Sequence, residues 1–145
     1  MPKLARRSGF TLIEVLIVIV VIAILAAIVV PRLLGAGREA REASLRAHLQ
    51  EIRNAIGLFQ AQCGDYPNVL ADIMATAAPA SGGTGVTINT IDWKGPYLTT
   101  ASGDLPNNPI SGANAEGTDW LYTKTTGAVK AKAGVGVDGS NYSTW

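Results

Sequence analysis

The chain is poor in the side chains from which active sites are built. Among 145 residues there is one histidine, His48, and one cysteine, Cys63. No G-x-S-x-G, H-E-x-x-H or phosphate-loop pattern occurs. Catalysis needs a nucleophile–base pair or a metal cluster, so the chain is read as a non-enzyme. A lone thiol forms no intramolecular disulfide. Cys63 reads as a small apolar residue near a helix end, with an intermolecular bridge as the other reading. His48 lacks a second ligand and reads as a boundary residue. Basic tracts are missing as well: the net charge is +1, with no cluster suited to nucleic acid. Aromatics are sparse, and Trp93, Trp120 and Trp145 read as packing residues rather than a ligand platform. Asn141-Tyr142-Ser143 fits a glycosylation sequon, a match three residues long.

Charge is also nearly absent from residues 10–30, and this run is the most informative part of the chain. It reads Phe-Thr-Leu-Ile-Glu-Val-Leu-Ile-Val-Ile-Val-Val-Ile-Ala-Ile-Leu-Ala-Ala-Ile-Val-Val, with Glu14 as its one charged residue. About 20 apolar helical residues cross a hydrocarbon core of ~30 Å. A carboxylate in such a helix is costly and calls for a partner. Before it stands a basic leader with Lys3, Arg6 and Arg7, ending in Ser8-Gly9. An ordinary signal peptide has a shorter apolar stretch and its small residues behind it, so a retained anchor fits better. The positive-inside rule then places the N-terminus in the cytoplasm and the rest outside, with Arg32 weakening the asymmetry.

Gly9-Phe10-Thr11-Leu12-Ile13-Glu14-Val15, continued by the apolar run to Pro31, resembles the leader junction of type IV prepilins and type II secretion pseudopilins. The resemblance implies cleavage between Gly9 and Phe10 by a prepilin peptidase and N-methylation of Phe10. It implies a single-pass subunit of the bacterial inner membrane, with its head extracytoplasmic. An assembly platform there passes the subunit into a periplasmic or cell-surface filament of identical copies. Once Gly9 is removed, Phe10 carries an α-amino group, and helix N-termini are partially positive. In a bundle of such helices the Glu14 carboxylate of one subunit can meet the Phe10 ammonium of its neighbour. Either charge buried alone would cost several kcal/mol, so pairing sets register and direction. The other reading of Glu14 is a carboxylate that snorkels or takes up a proton.

Helical pattern continues past Pro31. Leu45, Leu49, Ile52, Ile56 and Phe59 share one face. Arg38, Glu42 and Arg46 step along another at i, i+4 and read as a solvated, lightly paired surface. An unbroken helix from Phe10 to about Gln62 would be ~80 Å long, a length suited to a filament core. Pro31 removes a backbone donor, and Gly35 and Gly37 weaken the helix further, so residues 31–37 are the expected point of bending or melting. Simple curvature is the alternative.

Composition changes after Cys63, where twelve of the 16 glycines and five of the 7 prolines fall. Gly64-Asp65-Tyr66-Pro67 ends the helix. Residues 69–76 read as a short helix, 86–93 as a weak strand, and 120–123 with 128–133 as a β-hairpin. A glycine-rich loop, 134–145, follows. The order of Gly64-Asp65-Tyr66-Pro67, Gly95-Pro96-Tyr97-Leu98, Leu105-Pro106 with Asn108-Pro109, and the late hairpin resembles the head of the major pseudopilins. The paired C-terminal cysteines of many pilins are missing. The acid-rich, calcium-binding loop of many major pseudopilins is thinned to Asp138, beside Gly139, Ser140 and Asn141. Calcium takes six to eight oxygens; Asp138 and Asp119 are its candidate carboxylates, and an unliganded turn is the alternative.

The expected architecture is α+β and pilin-like: a long N-terminal helix on a small antiparallel sheet. Its parts are a leader (1–9), an apolar helix half (10–30), an amphipathic half (31–63) and a head (64–145). The expected function is that of a filament subunit. A monomeric membrane-anchored binding module is the alternative.

Overall fold

The computed structural model describes residues 9–132, 134–136 and 138–145, with the backbone alone at Leu33 and Leu34. Lys3, Arg6, Arg7 and Ser8 of the leader lie outside the described residues. One helix, α1 (Leu12–Cys63), runs through Pro31, Gly35 and Gly37. It stops where the sequence provides a left-handed position: Gly64 has φ +78° and its N–H donates to Gln60 O at 2.9 Å. The chain divides into two units, Met1–Arg38 and Glu39–Trp145.

Within the second unit, the apolar face of α1 supplies one wall of the core. Leu45, Leu49, Ile52, Ile56 and Phe59 are all buried, as their spacing requires. Each such side chain contributes about 1.5–3 kcal/mol when fully removed from water. The facing wall is an antiparallel hairpin of β1 (Trp120–Thr123) and β2 (Ala128–Ala131), with Trp120 opposite Ala131 and Thr123 opposite Ala128. Val129 and Ala131 point inward by strand alternation, while Ala128 and Lys130 face out. Gly127, at φ +67°, closes the turn where an added Cβ would strike the Tyr66 ring at 2.3 Å. Arg53 pins the layers together, donating to Val129 O at 3.1 Å and also to Trp145 O. The architecture is therefore α+β, a long helix with a two-stranded sheet.

One local expectation is refined and two need correction. Residues 69–76 do hold a short helix, of the 3₁₀ type and confined to Leu70–Met74. The Asp72 carboxylate caps its start, accepting the N–H groups of Asn68 and Val69 at 2.9 and 3.0 Å, and bonds from Asp72 N to Val69 O at 3.1 Å and from Ala75 N to Asp72 O at 3.3 Å give it the tighter 3₁₀ form. Residues 86–93 form no strand beyond one bridge between Ser81 and Thr87. The Asn89 side chain accepts from Ile91 N at 3.0 Å, and Asn89 O accepts from Asp92 N and Trp93 N, so the backbone turns instead of extending. Glu42 is not on a solvated face: it is 5% exposed and accepts from the Tyr142 hydroxyl at 3.0 Å. The hairpin falls where expected, with its second strand ending at Ala131; Ala133 lies outside the described residues.

Candidate functional site

Every residue from Gly9 to Arg32 is exposed, including Phe10 at 88%. An apolar surface of this extent on one helix is stable only when lipid or protein covers it. The helix is long and apolar enough to cross a membrane, with mean hydropathy 3.4 over its most apolar stretch. At its start Thr11 and Glu14 form a capping box. Glu14 Oε2 accepts from Thr11 N and Thr11 Oγ1, both at 2.8 Å, and Thr11 Oγ1 accepts from Glu14 N at 3.3 Å. This capping role of Glu14 was readable in Thr11-Leu12-Ile13-Glu14, which is the capping-box spacing ahead of an apolar run. Gly9 precedes the helix outside any regular element, with no atom beyond its chain neighbours within 4 Å of where its Cβ would stand. Phe10, Glu14, Val15 and Val18 line a shallow surface hollow.

Farther along α1, an added Cβ at Gly35 or Gly37 would also meet nothing within 4 Å. Among the described residues, no other part of the chain comes close enough to require either glycine. Their effect is to lower the helix propensity of the segment that Pro31 has already deprived of a hydrogen bond.

The two candidate calcium carboxylates are committed elsewhere. Asp138 Oδ1 accepts from Ser140 N at 3.0 Å and Ser140 Oγ at 2.6 Å, and Oδ2 faces Arg46 at 3.2 Å. The Ser140 hydroxyl above all, then its amide and the Arg46 charge, hold the Asp138 carboxyl below the usual range. Asp119 accepts from Ala115 N at 3.1 Å. Its carboxyl is also held low, chiefly by the Ser111 side chain, with the Ala115 amide and Lys132 adding to it against desolvation. Among the described residues no three of His, Cys, Asp and Glu gather as a metal group. A donor set of one salt-bridged carboxylate does not fit a calcium ion.

Other anchors of the head went unread in the sequence. Asp65 is 4% exposed and gathers Tyr66 N, Thr84 N and Thr84 Oγ1 at 2.8–3.0 Å. Asn108 is 1% exposed; it donates to Asp119 O at 3.2 Å and accepts from Ile110 N at 2.9 Å. The Asn-Pro pair at 108–109 signalled a turn but not this burial. Cys63 closes α1, half-buried, with its sulfur 3.7 Å from the Tyr97 hydroxyl. His48 Nδ1 lies 3.0 Å from Asn107 O.

Residues 4–30 match the prokaryotic N-terminal methylation motif. Over 122 residues the chain is 30% identical to the type II secretion system core protein G of Aeromonas hydrophila, covering 77% of this chain and 85% of that protein. It is 36% identical over 67 residues to core protein G of Vibrio cholerae, 46% of each chain. To the type IV wide pilus major component PilA4 of Thermus thermophilus it is 39% identical over 70 residues, 48% of this chain and 53% of that one. The chain thus spans most of the Aeromonas relative and about half of the other two. No solved structure matches it significantly.

Proposed function

The chain belongs to the family of type II secretion pseudopilins and type IV pilins and is a structural filament subunit, and from that premise we propose how its N-terminal residues build the filament. Prepilin peptidase cuts between Gly9 and Phe10, and the new Phe10 amine is methylated. The leader's cationic residues keep the N-terminus on the cytoplasmic side, and the apolar half of α1 holds the subunit in the inner membrane with its head outside. The bilayer is a holding place. On assembly the lipid around residues 10–30 is exchanged for the same surface of other copies, delivered by the membrane platform. The length of the match to core protein G favours a periplasmic pseudopilus.

Glu14 directs that exchange. A carboxylate offers about four lone-pair sites, so it can cap its own helix through Thr11 and still accept the Phe10 ammonium of a neighbour. Buried among apolar helices, each charge then finds its counterpart in only one register. Pro31, Gly35 and Gly37 mark where α1 gives way as subunits pack, between the apolar half (10–30) and the amphipathic half (31–63).

The observation that carries this reading is the fully exposed apolar run with a single carboxylate in its first turn. Glu14→Ala removes both the cap and the intersubunit partner, whereas Thr11→Ala removes the cap alone, at about 1 kcal/mol. In cells producing each variant, filaments recovered after the outer membrane is opened should be lost with Glu14→Ala and retained with Thr11→Ala. Normal filaments from Glu14→Ala, or equal loss from both, would reject the pairing. Gly9→Val should leave an uncut precursor, visible as a heavier band.

A further inference from the structure

The C-terminal segment is fastened to α1 by a closed ring of four side chains. Arg46 on α1 meets Asp138 Oδ2 at 3.2 Å. Asp138 Oδ1 accepts from Ser140 Oγ at 2.6 Å. The same Ser140 Oγ accepts from Trp145 Nε1 at 2.6 Å. The Trp145 ring closes the circuit, with the Arg46 guanidinium carbon 4.0 Å above its centroid. Tyr142 backs the ring, packing edge-on to Trp145 at 4.8 Å and donating to the buried Glu42. Gly136 leaves the space: a Cβ there would lie 2.8 Å from Asp138 Oδ1, 3.0 Å from Trp145 and 3.3 Å from Glu42 Oε2.

This ring uses the donors that a calcium ion would need. Both Asp138 oxygens and the Ser140 hydroxyl are engaged, and a guanidinium already neutralises the carboxylate. A dication entering here would have to displace Arg46 and face its charge. The planar guanidinium suits the site, since it can pair with a carboxylate and stack on an indole at once.

We propose that Arg46 serves as the built-in cation of the C-terminal loop, so that the loop is clasped to α1 by Arg46, Asp138, Ser140 and Trp145 without a divalent metal. The clasp depends on coupling: each member orients the next, and an isolated exposed ion pair would add little. This inference does not rest on the filament reading, because it concerns how the head is held closed.

The test uses the full chain in detergent micelles, unfolded by heat and followed by near-UV circular dichroism, in calcium chloride or in a chelator. The wild-type midpoint should be the same in both. Arg46→Gln and Asp138→Asn should each lower it by about 4 °C. The double variant should fall no further than the worse single, because both changes open one ring. Arg46→Lys, which keeps the charge but loses the planar stack, should recover part of the loss. A midpoint raised by calcium in the wild type overturns the proposal. So do additive losses in the double variant, or single variants that melt like the wild type. Asp138→Asn leaves α1 untouched and can be read if Arg46→Gln fails to fold.

Discussion

Asp65 shows how much one side chain can organise. It sits two residues past the end of α1, buried, and ties the helix exit to the 81–86 loop through Thr84. Gly82 packs against it so closely that a Cβ would come within 2.3 Å of Asp65 Oδ2. Desolvation pushes the Asp65 carboxyl up, but hydrogen bonds from the Thr84 side chain and from the Tyr66, Thr84 and Val86 backbone outweigh it and hold it below the ordinary value. A carboxyl lowered on folding stabilises the fold above its unfolded pKa, near 3.9. That contribution is lost as the pH falls from there through the folded value. Asp65→Asn should therefore cost about 2 kcal/mol at pH 7, where charged hydrogen bonds are replaced. The gap between wild type and variant should narrow below about pH 4. Melting curves from pH 3 to pH 7 would show it, and a gap independent of pH would refute the assignment. Gly82→Ala should destabilise by the same route. Neither residue stands out in the sequence, where Asp65 reads only as part of a turn. Its weight comes from a partner 19 positions away.

Elements were legible where one physical signal dominated. The 4, 3, 4, 3 spacing of Leu45, Leu49, Ile52, Ile56 and Phe59 fixed the buried face of α1. Gly64 fixed its end, and the β-branched and aromatic runs around Gly127 fixed the hairpin. Where short polar side chains compete for the backbone, pattern misled. Asn89 turned an expected strand. The segment around Gly35 and Gly37 is a different case: among the described residues nothing packs close enough to require glycine there. Replacing both by alanine should strengthen the helix by about 1 kcal/mol per site. The expected consequences are slower amide exchange over residues 31–37 in micelles and a filament that stretches less under load. If the double variant slows exchange but stretches like the wild type, the segment is not where the filament yields.

At the scale of the whole molecule, the two units answer to different solvents. Every buried apolar residue of the described chain, from Leu45 to Tyr142, belongs to the unit Glu39–Trp145. Residues 9–32 are all exposed. The sequence showed an apolar run (10–30) followed by an amphipathic one (31–63). The closing contacts were not legible there, because Arg46 and Asp138 are 92 positions apart and only folding makes them neighbours. Since α1 contributes its core face only from Leu45 onward, a fragment of residues 39–145 keeps the whole core, the hairpin and the Arg46 ring. It loses an apolar surface that destabilises nothing in micelles but drives association in water. The fragment should therefore be soluble and monomeric without detergent. Its thermal midpoint should lie within a few degrees of the full chain in micelles, and it should not join filaments when mixed with intact subunits. A fragment that is unfolded by circular dichroism would mean that residues before 39 support the head, and that the head does not fold on its own.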